Sequence, residues 1–268
     1  MDIFLTPIVL GIIEGITEFL PISSTGHLII ANQFFQLESN FRDIFDVVIQ
    51  FGAILSVIVY FRDRIIPFYK GQTDEQRRGI LKLWQKTVVG VIPALITGAL
   101  LGHKIKELLF NPLTVAIALV LGGVILIWIE GRKKTSIIND ISGLSYVNAL
   151  MIGLFQCLAM IPGTSRSAAT IIGAMLLGTS RKVAAEFSFF LAIPTMLAAS
   201  AYSLLDAGLK LTTTQWQVLA VGFAVSFLVA WAVIAIFIDY ISKRDFKAFG
   251  YYRIVLGFLM LTVYFKIY

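Results

Sequence analysis

Two acidic residues and a polar turn interrupt an apolar stretch near the start of the chain. Glu14 and Glu18 are four residues apart, and PISSTGH (21–27) follows them. Residues four apart share one face of a helix, and two carboxylates so close in apolar surroundings resist joint ionisation. A divalent metal held by these carboxylates and by substrate phosphate oxygens would stabilise them. The alternative is that one or both glutamates reach water as ordinary polar residues.

The polar turn carries a candidate nucleophile and a candidate base. Pro21 ends the first helix, and Ser23, Ser24 or Thr25 can begin the next as its N-cap. Ser24 and His27 are three residues apart and would face the same way, which suits a nucleophile and its general base. Two alternatives stay open: the hydroxyls only cap the helix, and the histidine only bonds a carbonyl to close the turn.

A second polar break, PGTSRS (162–167), interrupts a later apolar region. Arg166 is costly between apolar stretches unless it pairs with an anion, and its planar fork matches phosphate. An internal ion pair to Glu14 or Glu18 is the alternative, and it would also bring the two breaks together. Around Arg166, backbone N–H groups at a helix N-terminus would form an anion site. The residues expected to present them are Gly163, Thr164, Ser165 and Ser167. The two breaks together predict a metal-assisted site for a phosphorylated, lipid-borne substrate.

The composition places both breaks in a membrane protein. Of the 268 residues, 58% are hydrophobic and 14% are charged, and the mean hydropathy is +0.86, whereas soluble domains are about 25% charged. We therefore expect an all-α polytopic membrane protein with six full spans, the last of which requires Arg253 to snorkel. The predicted spans are 47–61, 87–102, 108–129, 187–206, 211–238 and 254–265.

The basic residues predict the orientation of the chain. The formal net charge is +6, but the basic residues cluster in short loops, as orientation signals do, so nucleic acid is not an expected partner. We expect these loops on the cytoplasmic side, and both termini and the first break on the outer side. The clusters are Arg62, Arg64, Lys70, Arg77, Arg78, Lys82 and Lys86; Arg132, Lys133 and Lys134; Arg181 and Lys182; Lys243, Arg244 and Lys247.

Two segments, 3–35 and 147–178, are too short and too interrupted to span the membrane twice and are predicted to be re-entrant helix pairs. They resemble each other: Gly11 and Glu14 precede the first break as Gly153 and Gln156 precede the second. Because each unit would contain three crossings, the second would be inverted, which places the breaks together near the midplane. We expect one membrane domain, 1–268, with repeats at about 1–134 and 145–268. The pair Gly122 and Gly123 permits close helix contact, within the chain or in a homodimer.

At the two breaks the chain resembles the bacterial undecaprenyl-diphosphate phosphatases of the bacitracin-resistance type. EGITEFLPISSTGH (14–27) matches the family's E/QxxxE motif and the PxSSTGH that follows it. PGTSRSAAT (162–170) matches its PGxSRSxxT motif. The resemblance covers the whole length and departs from the family at no motif position.

The resemblance implies hydrolysis of undecaprenyl diphosphate to the monophosphate, a carrier lipid of cell-wall synthesis, with Mg²⁺ or Ca²⁺ as cofactor. The site would open to the outer face of the cytoplasmic membrane. Carried over, Glu14 and Glu18 bind metal or orient water, Ser24 is the nucleophile or positions a water, and His27 is the general base or acid. Arg166 would clamp the diphosphate, with Ser23, Thr25, Gln156, Gly163, Thr164, Ser165 and Ser167 around it. The alternative is a transporter or flippase of a polyprenyl phosphate, because inverted repeats with broken helices are a transporter design.

Overall fold

The computed structural model describes residues 3–69, 71–132, 135–207 and 211–267, and within these ranges the chain is helical apart from turns and one isolated bridge. Lys70, Lys133 and Lys134 of the basic loops lie outside the described residues. The helices are α1 Leu5–Thr17, α2 Ser24–Ala31, α3 Ser39–Tyr60, α4 Arg62–Ile65, α5 Asp74–Leu109, α6 Pro112–Gly131, α7 Tyr146–Gln156, α8 Arg166–Leu176, α9 Arg181–Ala207, α10 Thr213–Lys243 and α11 Lys247–Ile267.

Within the described residues, five helices are long and apolar enough to cross a membrane, which confirms the all-helical polytopic class. They are Phe41–Tyr60, Asp74–Leu109, Pro112–Gly131, Arg181–Ala201 and Thr213–Lys243. Helix α11 coincides with the sixth predicted span but is not among these five, so the count of six stays a prediction.

Several predicted boundaries were wrong because the charged ends of helices were taken for loops. Helix α5 begins at Asp74, within the basic stretch, since Thr73 and Gln76 form a capping box there. Lys86 lies inside α5 rather than in a loop; it is buried and donates to the Ser142 carbonyl at 2.9 Å. The predicted span 108–129 crosses the turn at Asn111, whose side chain caps α6.

Four short helices flank the two breaks. Helices α1 and α2 have 13 and 8 residues, and α7 and α8 have 11 each. At about 1.5 Å per residue none of them reaches the roughly 30 Å of a hydrocarbon core. Residues 18–23 separate the first pair, and residues 157–165, which include a short 3₁₀ turn at Cys157–Met160, separate the second.

Each break ends in a serine with an uncommon backbone conformation. Ser23 (φ 73°) and Ser165 (φ 69°) are the non-glycine residues with positive φ in the described ranges. Each caps the helix that follows: its hydroxyl accepts from the N–H three residues on. Ser165 lies 142 positions after Ser23, as Gln156 does after Glu14. The breaks differ by one residue between the proline and the capping serine: Ser23 lies two positions after Pro21, and Ser165 lies three positions after Pro162.

The long helices hold the broken pairs between them. Helix α1 packs on α10, α7 packs on α5, α6 packs on α11, and α3 contacts both α9 and α10. The main core carries buried phenylalanines up to the first break, where Phe19 meets Phe189 edge-on with ring centroids 5.3 Å apart. This aromatic contact fixes the start of the first break against α9.

The contact between α6 and α11 explains the glycine pair and corrects one prediction. A Cβ on Gly123 would lie 2.6 Å from the Gly250 carbonyl oxygen, and one on Gly122 would lie 2.2 Å from Nη2 of Arg253. The close helix contact is thus within the chain, and these glycines no longer argue for a homodimer. Arg253 does not snorkel: its side chain is 0% exposed.

Candidate active site

A polar cavity of about 170 Å³ lies where the two breaks meet. Four lining residues come from the second break and two from the first, and the others are three residues at the starts of α2 and α8 and one residue of α3, so neither break encloses the cavity alone. The lining residues are Glu18, Ser23, Ser24, Thr25, Gln50, Ala159, Pro162, Gly163, Ser165 and Arg166. The prediction that the breaks come together is confirmed by this geometry.

Glu18 accepts hydrogen bonds from residues that follow both breaks. The hydroxyl of Ser24 donates to Oε2 of Glu18 at 2.5 Å, and Nη2 of Arg166 donates to Oε1 at 3.1 Å. Ser24 and Arg166 are the first residues of α2 and α8, directly after the two capping serines. The two helices therefore direct equivalent residues at one carboxylate. Both hydrogen bonds involve a charged group, which makes them stronger than neutral ones.

Arg166 forms the internal ion pair that the sequence left open as an alternative. Its side chain is 12% exposed, and Nη1 also donates to the Ser188 carbonyl at 3.0 Å. The guanidinium carbon lies 5.9 Å from the centroid of the Phe19 ring. The guanidinium thus has a fixed place in the cavity wall, and its Nε is a buried donor without a partner in the described part of the chain.

Glu14 is buried beside Glu18 and makes no hydrogen bond to Ser24 or Arg166. Its exposure is 1%, and neither carboxylate oxygen has a hydrogen-bond partner among the described residues. Glu18 and Asp46 add negative potential at Glu14, and Arg166 partly offsets it. A buried carboxylate without a partner is costly, so a cation at this carboxylate fits the residues present.

The carboxylate set is small. The described part of the chain contains no group of three or more His, Cys, Asp or Glu side chains placed to hold a metal ion. Two glutamates nevertheless match the way Mg²⁺ is often held, by one or two carboxylates together with substrate phosphates.

Among the described residues His27 makes no hydrogen bond to Ser24, so the nucleophile and base pair stays a prediction. Its Nδ1 donates to the Ser23 carbonyl at 2.7 Å, since a carbonyl can only accept. In the neutral ring Nε2 then accepts from the Tyr252 hydroxyl at 2.7 Å, and the two rings stack with 4° between their planes. Both ring nitrogens are engaged, and His27 does not line the cavity. The carbonyl bond that closes the turn, left open above, is the contact present.

Other predicted binding residues divide between cavity and scaffold. Ser23, Thr25, Gly163 and Ser165 line the cavity, whereas Thr164 does not. Ser167 is buried and donates to the Leu20 carbonyl at 2.9 Å, which ties the second break to the first. Gln156 is buried and its amide bonds Thr195 at 3.3 Å. The structure therefore gives Ser167 and Gln156 contacts within the protein rather than places at the cavity.

Sequence reasoning missed three residues that contact the site. Gln50 of α3 lines the cavity, Tyr252 bonds His27, and Arg253 bonds both breaks. An amide inside a predicted span and an arginine at the edge of another were signals that could have drawn attention to Gln50 and Arg253. Tyr252 gave no such signal, because interfacial tyrosines are common in membrane proteins.

The fold and the site define a polytopic membrane protein with an acid, a hydroxyl and an arginine assembled inside it from two helix breaks. The chain matches the family described as bacitracin resistance protein BacA over residues 7–259 and belongs to that family.

Full-length relatives carry names that specify a reaction. Undecaprenyl-diphosphatase 1 of Clostridioides difficile is 53% identical over 260 residues, 96% of this chain and 95% of the relative. Undecaprenyl-diphosphatase of Fusobacterium nucleatum is 51% identical over 264 residues, 96% of this chain and 98% of the relative. The enzyme of that name from Enterococcus faecalis is 48% identical over 262 residues, 96% of this chain and 95% of the relative.

Proposed function

We propose that this protein hydrolyses undecaprenyl diphosphate to undecaprenyl phosphate and inorganic phosphate, which recycles the carrier lipid and supports bacitracin resistance. The observation that carries the proposal is Glu18 bonded at once to the Ser24 hydroxyl and the Arg166 guanidinium. A carboxylate that accepts a hydroxyl proton, beside a guanidinium suited to phosphate, is the arrangement a phosphoryl transfer needs. The names of relatives about half identical over nearly the full chain support the same reaction.

The reaction begins with Arg166 binding the diphosphate. Oγ of Ser24 then forms a bond to the terminal phosphorus while the bridging oxygen–phosphorus bond breaks, and undecaprenyl phosphate leaves. The hydroxyl proton passes to Glu18, to which Ser24 already donates at 2.5 Å. Glu18 passes that proton to the leaving undecaprenyl phosphate and is a carboxylate again. Water then attacks the phosphoserine and the bond from Oγ to phosphorus breaks, while Glu18 accepts a proton from that water and returns it to Oγ. Direct attack by water held at Ser24 and Glu18 is the competing route.

The cofactor in this proposal is a divalent cation, Mg²⁺ or Ca²⁺, held by Glu14 and Glu18. When bound, it would neutralise charge on the phosphate oxygens. The buried, unpartnered carboxylate of Glu14 supports this assignment. Added Mg²⁺ or Ca²⁺ should raise the unfolding temperature of wild type but not of Glu14→Gln, a measurement that does not depend on turnover. An equal rise in both proteins would remove Glu14 from the metal site.

The proposed arrangement in the membrane is an inverted repeat in the bacterial cytoplasmic membrane. It has six spans, two re-entrant pairs, both termini on the outer face and a site reached from that face. Equivalent serine caps at both breaks and Thr-x-x-Gln capping boxes at the starts of α5 and α10 support the repeat. The basic loops support the orientation.

Cysteine labelling tests the orientation. In a Cys157→Ala background, Glu75→Cys and Thr214→Cys place exposed thiols in the first turns of α5 and α10, which the inverted repeat puts on opposite faces. In whole cells a membrane-impermeant thiol reagent should modify Thr214→Cys and spare Glu75→Cys. Modification of both, or of neither, would contradict the inversion.

Phosphate release tests the reaction. Purified wild type should release phosphate from a polyprenyl diphosphate and stop when EDTA is added. Ser24→Ala, Glu18→Gln and Arg166→Ala should lose most of the rate while remaining folded, whereas Ser242→Ala, a matched exposed serine, should not. A Ser24→Ala enzyme that keeps most of its rate would favour attack by water. Wild type that binds the lipid through Arg166 but releases no phosphate with any metal would instead indicate a carrier.

A further inference from the structure

Arg253 is a fully buried arginine without a carboxylate partner among the described residues. Its exposure is 0%, and none of the ion pairs in that part of the chain includes it. Burying an uncompensated charge is costly, so such a group is retained only where hydrogen bonds satisfy it. Arg253 takes no part in the bond making, proton transfer or substrate binding of the proposed reaction.

Four backbone carbonyls satisfy the guanidinium. Nε donates to the carbonyl of Leu119 at 3.3 Å, and Nη2 donates to that of Ala118 at 3.1 Å, both on α6. Nη1 donates to the carbonyl of Pro21 at 3.2 Å, and Nη2 also donates to that of Gly163 at 3.1 Å. One side chain thus bonds α6 and both breaks.

The two break carbonyls occupy equivalent places. Pro21 lies two residues before the capping Ser23, and Gly163 lies two residues before the capping Ser165. Three residues after each carbonyl comes the residue that bonds Glu18, Ser24 in one break and Arg166 in the other. Holding the two carbonyls on one rigid fork therefore sets the spacing of the groups that meet at the cavity.

The surroundings are shaped for a planar fork. Gly122 leaves the room that the guanidinium occupies, since a Cβ there would lie 2.2 Å from Nη2 and 2.8 Å from Cζ. Gly163 has φ +90° and could carry no Cβ, which would lie 2.5 Å from the Val115 carbonyl oxygen. Lysine keeps the charge but offers a single ammonium, which cannot bridge carbonyls on separate segments in the way the fork does.

We propose that Arg253 is a positioning residue that holds the two breaks in register, so that Ser24 and Glu18 of one meet Arg166 of the other. The expected effect on kcat rests on the proposed function, whereas the expected effect on the packing of the two breaks does not. Arg253 does not touch the cavity groups directly; it acts through the backbone of both breaks.

The kinetic test uses two variants that disturb the fork in different ways. Arg253→Lys removes the fork and keeps the charge, whereas Gly122→Ala keeps the arginine but displaces its guanidinium. Both should lower kcat for a polyprenyl diphosphate about 100-fold, the effect of about 1 Å of misplacement, with KM within about threefold because Arg166 still binds the diphosphate. The matched controls are Arg244→Lys, at an exposed arginine, and Gly131→Ala, at a second glycine of α6 where an added Cβ would have no atom within 4 Å.

A second measurement needs no turnover. Hydrogen–deuterium exchange should quicken at the amides of both breaks, 18–23 and 157–165, in Arg253→Lys and Gly122→Ala, and remain as in wild type across α10. Unchanged exchange in both breaks, or an increase spread over the whole chain, would overturn the proposal. So would a kcat within threefold of wild type in both variants. If wild type releases no phosphate, the proposed reaction fails, and the exchange experiment still decides the role of Arg253.

Discussion

The ion pair between Glu18 and Arg166 should stabilise the fold as a unit. Two unit charges 3.1 Å apart attract by about 5 kcal/mol at an effective dielectric constant of about 20. The side chains are 6% and 12% exposed, so removing one partner leaves the other buried and uncompensated. Glu18→Gln and Arg166→Gln should therefore each lower the free energy of unfolding by about 3–5 kcal/mol. The double variant should lose much less than the sum.

The assay is a double-mutant cycle by sodium dodecyl sulfate titration in mixed micelles. We expect a coupling energy of about 3 kcal/mol or more. The matched control is the exposed pair of Lys243 and Asp239, with side chains 69% and 67% exposed, whose coupling should be about 0.3–0.5 kcal/mol. A coupling between Glu18 and Arg166 no larger than that of the exposed pair would refute the reasoning, because it would mean that water or another group compensates each charge alone.

Three further changes follow from single contacts. Tyr252→Phe removes the hydroxyl that bonds His27 and keeps the stacked ring. We expect the rate of phosphate release to fall less than about tenfold, because one neutral hydrogen bond contributes about 0.5–1.5 kcal/mol. A complete loss of activity would place Tyr252 in the chemistry. Gly163→Ala should abolish activity, or folding as judged by elution from size exclusion. Gly71→Ala, also at positive φ but with no atom within 4 Å of the added Cβ, should be tolerated. Equal effects of the two substitutions would mean that φ alone matters. Glu130 accepts two hydrogen bonds from Arg181, the first residue of α9. Glu130→Gln should lower the free energy of unfolding by about 1–3 kcal/mol. An unchanged midpoint in the detergent titration would contradict this.

Local properties of the chain were readable from the sequence. The low share of charged residues and the long apolar runs predicted a helical membrane protein, because burial in lipid imposes that composition on any spanning helix. Proline, glycine and clustered hydroxyls predicted both breaks, since these residues end one helix and cap the next. The cost of Arg166 inside an apolar region predicted an anion beside it, with substrate phosphate expected and Glu14 or Glu18 as the alternative, and the partner present in the structure is Glu18.

Partners across the chain were not readable. Spacing of three suggested that Ser24 faces His27, yet Ser24 bonds Glu18 and His27 turns to Tyr252. Helical spacing says which residues share a face, but the positive φ of Ser23 sets the direction of α2, and that direction decides which residue the face meets. Arg253 looked like an interfacial residue, because a sequence shows the charge and not the carbonyls that surround it.

The sequence by itself thus determined the class of protein, the positions of the two breaks and the residue types gathered at them, because composition, capping and the cost of burying charge act locally. Only the tertiary structure decided that Glu18 is the common partner of Ser24 and Arg166 and that Arg253 bonds both breaks. These hydrogen bonds join segments up to 232 positions apart, and their formation depends on how helices pack, which no local pattern encodes.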